Sequence, residues 1–399
     1  MSKIRFTTIE GRSPGFYALL GVLGVLILAG LGAAHTMESQ GHWVTGMSNQ
    51  VIWGTPHIFA VFLIVAASGA LNTASVSSVF QRAEYKPMAR LSGLLAVALL
   101  VGGLAVLVLD LGRPDRLIVA MTYYNFKSVF AWNIFLYTGF IAVVALYLWM
   151  MMDRNMTAYA RPAGIAAFTW RIILTTGTGS IFGFLIARDA LGTALLAPMF
   201  VIMSFSYGTA IFLLVLVAAY RWTRRPLSDA VVLRVKNLLS VFVISVFYFV
   251  LVYHITNLYF TEKHDVEAFL LLDGGPVTQA FWWVQIVLGT VLPLVLFWAP
   301  GLKDSVVAAL VGAALVIVGG LGQMYVTIIG SQLYPLELFP GKTISSSFYD
   351  GVVAHYTPSV YEVFLGLGGV ALSLAIVVVA LKVLPFIPDR LVESGERVS

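Results

Sequence analysis

Cysteine is absent from the sequence. Without thiolates the chain can form neither a disulfide framework nor a cysteine-ligated iron–sulfur cluster. Any such cluster that works with this chain must therefore belong to another subunit. Six histidines remain as the strong side-chain ligands, and we predict no metal site among them.

Charged residues are also scarce. They make up 11% of the 399 residues, against the roughly 25% usual in soluble domains, while 59% of the residues are hydrophobic and the mean hydropathy is +0.91. The composition therefore predicts a membrane protein. The formal charge of +5 does not indicate nucleic-acid binding, because the basic residues lie in short loops between apolar runs, where they set the topology.

Long apolar runs fill most of the chain. A helix needs about 20 apolar residues to cross a bilayer core, and ten such runs predict an all-α membrane protein with about ten transmembrane helices packed in bundles. The predicted spans are roughly 14–34, 51–79, 89–111, 128–152, 162–187, 196–220, 231–259, 277–299, 304–329 and 358–386. No linker rich in proline, serine or charge divides the sequence, so residues 1–399 are predicted to form one polytopic membrane domain.

Lysine and arginine are unevenly distributed between the two sets of loops. Most lie on the side of the amino terminus, so the positive-inside rule places both termini in the cytoplasm. The outer face then receives residues 110–116 and the loops 35–50, 260–276 and 330–357. These loops are too short for a catalytic domain, and we interpret them as a docking surface for a partner.

The third span ends in the most highly charged local segment, residues 110–116. Asp110 and Arg113 are three residues apart, which would put them on one face of a continuing helix, although Pro114 favours a break there. A carboxylate at this depth can accept protons, and an arginine can keep it charged or bind an anionic intermediate. The alternative is a salt bridge that only ends a span, and Asp115 and Arg116 are interpreted as plain interface charges.

Two histidines lie at similar depths near the outer face. His57 is about six residues inside the outer end of the second span, and His254 lies similarly in the seventh. Two roles fit: hydrogen-bond and proton partners of a quinone carbonyl, or axial ligands of one haem b. The alternative is a histidine that is hydrogen-bonded within a helix bundle. Asn257 and Tyr325 are the neighbours that could complete a second polar site around His254.

Three further polar residues are candidates for a proton path. Arg171 lies deep in the fifth span, where pairing with a buried acid or a wet path would stabilise it. Gln323 and Glu362 could join it, although hydrogen bonding between helices is the alternative for Gln323. No histidine occurs in the inner half of any predicted span, which excludes a dihaem cytochrome and disfavours a single outer haem.

The segment Asp110-Leu111-Gly112-Arg113-Pro114-Asp115-Arg116 resembles the D-L-G-R-P-x-R signature of the NrfD/PsrC family of quinone-reactive membrane subunits. Asn125, Ser128 and Trp132, which follow it, also fit that family. The histidine of the polysulfide reductase membrane subunit that contacts quinone falls on His57. The second half, including residues 319–330 and 356–362, resembles the ten-span branch, which includes the HybB-type hydrogenase subunit and, with the greater similarity, the DsrP subunit.

The resemblance implies a menaquinol or ubiquinol site near the outer face, formed by His57, Asp110 and Arg113, with no bound haem or iron–sulfur cluster. It also implies an extracytoplasmic ferredoxin-like iron–sulfur subunit, further subunits of a redox complex linked to sulfur metabolism, and a bacterial cytoplasmic (inner) membrane location. Such a chain is not an enzyme alone. One departure concerns the fifth span, where Thr176, Thr178 and Ser180 stand in the region of the family's quinone-proximal tyrosine.

Two other functions remain open from the residues. A secondary transporter would more often place its polar site at the middle of the membrane, on spans broken by glycine or proline, and Arg171 with Asn133 best supports it. A membrane anchor with a single haem b is the other alternative.

Overall fold

The computed structural model describes residues 5–336 and 351–392, and ten long helices occupy most of these. We number them α1 (Pro14–Gln40), α2 (Thr55–Ser78), α3 (Ala89–Leu109), α4 (Val129–Met152), α5 (Ala160–Gly183), α6 (Leu196–Trp222), α7 (Asp229–Tyr259), α8 (Pro276–Trp298), α9 (Val306–Leu333) and α10 (Val360–Val383). Two-residue strands, β1 (Phe6–Thr7) and β2 (Ile387–Pro388), pair antiparallel. The prediction of an all-α membrane protein is confirmed.

Nine of the helices in the described residues are long and apolar enough to cross a membrane, and α5 is not among them. The pairing of β1 with β2 nevertheless puts both ends of the described chain on one face. On the opposite face the end of α9 meets the segment that leads into α10, since the Ala354 N–H donates to the Leu333 carbonyl at 3.0 Å. This arrangement needs an even number of crossings, which supports the tenth predicted span.

The face that carries the two strands is held together by arginine side chains. Arg90 donates to the carbonyl oxygens of Met151 and Pro385, at 2.6 and 3.2 Å. Arg225 donates to the Thr8 carbonyl oxygen at 2.7 Å. Basic residues at or near the helix ends therefore join separate parts of the chain on this face, which agrees with the predicted sidedness. That this face is cytoplasmic remains a prediction from the positive-inside rule.

The helices form two groups of four that meet at α2. Helices α2 to α5 pack on one another, α6 to α9 form the second group, and α10 packs between α1 and α3. The most apolar stretch of α2 is 94% buried, because α2 contacts α3, α6, α9 and α10. Two helices carry π-helical turns, at Ala280–Val291 in α8 and Val326–Gly330 in α9.

The contact between α2 and α6 depends on two glycines. A Cβ atom added to Gly69 would lie 1.6 Å from the Ser204 carbonyl oxygen, and one added to Gly208 would lie 2.1 Å from the Ala70 nitrogen. Small residues let helices approach closely in a bilayer, where packing rather than hydrophobic burial holds helices together. The two groups of helices are therefore joined at a backbone-to-backbone contact.

We expect Gly208→Ala to destabilise the protein by about 1–3 kcal/mol or more, because the added methyl overpacks against backbone that has little freedom to move. Thermal unfolding of the protein in detergent or nanodiscs measures the change. Gly24→Ala is the matched control, since a Cβ atom there meets no atom within 4 Å. Equal melting temperatures for the two variants would contradict the proposed role of this contact.

Candidate functional site

Asp110 is buried at the end of α3, where its side chain is 2% exposed. The helix ends at Leu109, and Gly112 follows with a φ of +66°, a left-handed conformation that favours glycine. A Cβ atom at Gly112 would also lie 3.1 Å from Cε1 of His42. The glycine therefore turns the chain away from α3 while leaving room for an imidazole beside Asp110.

Two histidines contact Asp110. His57 lies in the first turn of α2, closer to the helix end than predicted because α2 begins only at Thr55, and its Nδ1 is 3.1 Å from Oδ2 of Asp110. His42 Nε2 lies 3.0 Å from the Asp110 carbonyl oxygen and 3.7 Å from Oδ1. The predicted association of His57 with Asp110 is thus present, and His42 is an additional member.

The polar atoms of this cluster are not fully satisfied. Among the described residues, His57 Nδ1 and both carboxylate oxygens of Asp110 are buried without an aligned hydrogen bond. His57 Nδ1 lies 3.1 Å from a carboxylate oxygen of Asp110 and faces it as a donor, so the free acceptors of the cluster are lone pairs of Asp110. Buried polar groups of this kind are costly unless a ligand or water satisfies them. The cluster has acceptors for a hydroxyl group.

Exposure increases from Asp110 outwards. The side chain of Asp110 is 2% exposed, that of His57 19% and that of His42 31%. His42 lies outside the spans, and contact with Asp110 raises its pKa above the ordinary value, mainly through hydrogen bonding and against the opposing effect of burial. His42 therefore keeps its proton to a higher pH than an ordinary histidine and connects the buried carboxylate to the surface.

Trp53 fixes the position of the His57 ring. The two rings stack with centroids 6.1 Å apart. The backbone N–H of Trp53 donates to Oε1 of Gln332 at 3.0 Å, and Nε2 of Gln332 donates to the backbone carbonyl oxygen of Trp53 at 3.0 Å. One side chain of α9 thus holds the backbone just before α2, so the second group of helices helps to position the site of the first.

The Glu362 carboxylate accepts hydrogen bonds that fix the first turn of α10 and, through Tyr356, the first residue of α2. Its Oε2 accepts from the Gly46 and Ser359 N–H groups at 2.8 and 2.7 Å, and its Oε1 accepts from the Tyr356 hydroxyl at 2.6 Å. The same Tyr356 oxygen accepts from the Thr55 N–H at 2.6 Å. Glu362 therefore caps α10 and anchors the loop that carries His42, and its predicted part in a proton path remains a prediction.

Arg113 does not contact Asp110 among the described residues, since the helix breaks before it, as Pro114 favours. Arg113 is exposed, and its guanidinium group pairs with the Asp115 carboxylate at 3.2 Å, because the turn at Gly112 directs residues 113–115 away from the end of α3. Two histidines, and not the arginine, are the neighbours of Asp110. The proposed role of Arg113 in binding quinone is not supported by any contact among the described residues.

Arg171 is buried, but no acid pairs with it among the described contacts. Its guanidinium donates to Asn72 Oδ1 at 2.5 Å and to the Ser68 carbonyl at 3.0 Å, and it lies over the rings of Phe168 and Phe205. The expected acid partner is thus replaced by neutral acceptors, because α5 packs on the part of α2 that bears amide and hydroxyl groups.

The three residues predicted for a proton path lie in three different clusters. Gln323 accepts a hydrogen bond from the Tyr207 hydroxyl at 2.5 Å, whereas Arg171 bonds to α2 and Glu362 bonds around the start of α10. No described hydrogen bond links one cluster to another. A continuous path through all three remains an untested prediction.

The second predicted polar site is partly assembled. His254 Nδ1 lies 2.6 Å from Oε2 of Glu267, and Asn257 Nδ2 donates to Oε1 of the same carboxylate at 2.7 Å. Tyr325 has no hydrogen bond to His254 or Asn257 among the described contacts. His57 and His254 therefore have different carboxylate partners, which does not favour the interpretation as two ligands of one haem.

Sequence reasoning missed two members of these clusters, His42 and Glu267. Both lie in segments for which the sequence predicts outer loops. Glu267 is fully buried because residues 264–273 fold back against α7 as a short helix with a π-helical turn. The apolar residues Val266 and Leu270 that flank Glu267 are the signal that this segment packs inwards. Nothing in the sequence around His42 indicates its contact.

Two of the hydroxyl groups at the positions of the family tyrosine, in α5, are used within their own helix. Thr178 and Ser180 donate to carbonyl oxygens of their own helix, at 3.0 and 2.8 Å. These are the positions at which the sequence departs from the family tyrosine. The first site is therefore built from the loop before α2, from α2 itself and from the end of α3.

Comparison with known proteins identifies the family of the chain. The family described as "Polysulphide reductase, NrfD" matches residues 43–335, a range that contains His57, Asp110 and His254. The chain belongs to the NrfD family. The family membership inferred from the sequence is thus confirmed, and the chain is a multi-pass integral protein of the cytoplasmic membrane.

Relatives in this family are named as components of oxidoreductases. The chain is 28% identical over 398 residues to the Hdr-like menaquinol oxidoreductase integral membrane subunit of Archaeoglobus fulgidus, a match that covers 98% of each protein. It is 24% identical over 312 residues to a polypeptide of the polysulfide reductase of Wolinella succinogenes, covering 72% of this chain and 96% of that one. A subunit of the selenate reductase of Mesobacillus selenatarsenatis is 21% identical over 334 residues, covering 74% and 75%.

We expect Asp110→Asn to lower the pKa of His42 towards the ordinary value of about 6.5, because the carboxylate that stabilises the imidazolium is lost. Histidine-labelled NMR spectra recorded against pH measure this change, with His42→Gln identifying the resonance. Asp115→Asn is the control, since it removes an exposed carboxylate that pairs with Arg113. A His42 titration that is the same in wild type and Asp110→Asn would show that the two groups are not coupled.

Proposed function

We propose that this chain is the quinone-reactive membrane subunit of a respiratory oxidoreductase complex and that quinol binds at His57 and Asp110. The observation that carries the proposal is the buried cluster of polar atoms without an aligned hydrogen bond, His57 Nδ1 and the two Asp110 oxygens, at the end of a bilayer-embedded bundle. Membership in a family that includes a menaquinol oxidoreductase subunit supports the same ligand.

The chemistry of the cluster suits a quinol head group. A quinol hydroxyl can donate to Asp110 or to the imidazole of His57, and oxidation of the quinol releases two electrons and two protons. Asp110 and His57 are positioned to accept those protons, and His42 is positioned to pass a proton towards water. The burial of Asp110 strengthens these interactions because the local dielectric constant is low.

An apolar cleft lies next to the cluster. It encloses about 40 Å³ between α1, α3 and α10, and Leu109, the residue before Asp110, forms part of its wall. The remaining lining is hydrocarbon and glycine, and at this volume the cavity does not itself hold a quinol ring or tail but marks an apolar surface beside Asp110. Only 22% of the most apolar stretch of α1 is buried, so α1 borders the lipid, and a quinol can enter laterally beside it.

The electrons need a partner. The chain has no cysteine to hold an iron–sulfur cluster, so we propose that they pass to or from an extracytoplasmic iron–sulfur subunit docked on the face that carries His42. Trp43, which is 79% exposed beside His42, is available for that contact. The names of the polysulfide and selenate reductase relatives support a multi-subunit complex, and the first of them supports a role in sulfur metabolism.

We expect Asp110→Asn and His57→Gln each to lower the rate of quinol oxidation about 10²–10⁴-fold, the usual contribution of a positioned proton acceptor. Both substitutions nearly preserve shape while removing basicity. The measurement is quinol oxidation by membranes that contain the whole complex, with a menaquinol analogue and a ubiquinol analogue tested in parallel. Asp115→Asn is the control and should keep the wild-type rate. Wild-type rates in both site variants would exclude the proposed site.

A further inference from the structure

A second buried pair of a histidine and a carboxylate lies in the other group of helices. The Glu267 side chain is fully buried and that of His254 is 12% exposed, and the 2.6 Å between Nδ1 and Oε2 requires a proton on one of them. Asn257 occupies the other carboxylate oxygen. This pair is not part of the proposed quinol site, and it has no direct contact with Asp110 among the described residues.

A small cavity begins beside this pair, and several polar side chains stand in its mainly apolar wall. It encloses about 30 Å³ between α6, α7, α8 and α9 and is bordered by His254, Gln285 and Gln323. That volume holds about one or two water molecules. Gln285 Oε1 is buried without a hydrogen-bond partner among the described residues, so an acceptor for water lies in the wall.

A second cavity of about 10 Å³ continues the first towards the middle of the membrane. Gln285 and Gln323 border both cavities, and Tyr207 and Thr290 border the inner one. Along α7 the two linings extend from His254 to Val243, which is about 16 Å of helix at 1.5 Å per residue. The two cavities together therefore extend along about half of a bilayer core about 30 Å thick, with Gln285 and Gln323 as the polar side chains common to both.

The backbone of this region is also irregular. Gln285 lies in the π-helical turns of α8, and the π-helical turn of α9 follows Gln323 by three residues. Such turns widen a helix and occur frequently at functional sites. Gln285 lies within one π-helical segment and Gln323 lies just before the other. The irregular backbone of both helices is therefore next to the two glutamines that border both cavities.

The size and donor set determine what can bind. A cavity of this size is far below the roughly 300–1,000 Å³ of a small-molecule pocket, so a quinone ring does not fit. One carboxylate oxygen already accepts from Asn257, which leaves too few ligands for Ca²⁺ or Zn²⁺. A proton, with the water that carries it, is the occupant that fits.

Charge balance makes the pair responsive to protons. If His254 is neutral, Glu267 is a buried anion without a cation in contact, and such a charge is costly. A second proton on His254 makes the pair neutral overall. The nearby groups on the other elements do not supply that charge: Tyr253 donates to the Ala190 carbonyl oxygen, Lys263 to the Asp189 carbonyl oxygen, and the lining of α8 and α9 is neutral.

We propose that His254 and Glu267 form an internal proton-binding site at the mouth of a water-holding half-channel that leads past Gln285 and Gln323 into the second group of helices. The site takes up and releases protons from the face that carries His42. It does not depend on the quinol assignment, because its protonation can be read without quinol.

Infrared difference spectroscopy against pH tests this proposal on the whole complex in membranes, with isotope-labelled histidine. We expect carboxylate and imidazole bands that change together with pH. The carboxylate band should be lost in Glu267→Gln, the imidazole band should be lost in His254→Gln, and the coupling between them should be lost in both. Asp115→Asn and Asp110→Asn should keep them. Bands that do not change with pH in the wild type, or a carboxylate band that persists in Glu267→Gln, would overturn the proposal.

A second measurement does not rely on those two variants. Weakly bonded internal water gives O–H stretching bands that shift in H₂¹⁸O, and we expect part of this signal to disappear in Gln285→Leu. Gln332→Leu is the matched control, because Gln332 bonds to the Trp53 backbone and does not border either cavity. An unchanged water signal in Gln285→Leu would show that the cavities hold no water and would also overturn the proposal.

Discussion

The burial of the Asp110 carboxylate is the constraint on which the outer half of the molecule depends. A charge 2% exposed at the end of a membrane helix is costly unless its surroundings stabilise it. Two histidines lie beside it, and each is held by a separate part of the chain. The loop with His42 is anchored by Glu362 of α10, and the ring of His57 is set by Trp53, whose backbone is held by Gln332 of α9. Ends of helices distant in sequence thus converge on one carboxylate.

Hydropathy predicts the helices well because a bilayer imposes one length and one composition on every span. The signal is weakest at α5, which the run 162–187 still predicts, because Arg171 and a series of glycine, threonine and serine residues lower the apolar content of this helix. The pairing of His57 with Asp110 is also predictable, through the family signature. The contacts of His42 and Glu267 cannot be predicted from the sequence, because they form where loops fold back on the helix bundle. Arg113 pairs with Asp115 because of a local turn.

The two groups of four helices have related polar features with different surroundings. Each carries a histidine and a carboxylate near the outer ends of its helices, as His57 with Asp110 and His254 with Glu267. The first pair has buried atoms without aligned hydrogen bonds and lies beside an apolar surface near α1, which borders the lipid, and this supports the proposed quinol. The second is closely hydrogen-bonded beside a cavity of water size. The same two residue types therefore favour a quinol in one group and a proton in the other.

Arg171 belongs to neither site, and the break in α2 accounts for it. The helix is interrupted at Leu71, between Thr55–Ala70 and Asn72–Ser78. Such a break frees backbone acceptors, which within a membrane must be satisfied by neighbouring helices. Arg171 donates to the Ser68 carbonyl and to the Asn72 side chain, on either side of the break. The position of Arg171 deep in the bundle is then explained by the interrupted backbone that it stabilises. The free carbonyl oxygens at the break carry partial negative charge, so neutral acceptors and two aromatic rings can take the place of an acidic partner.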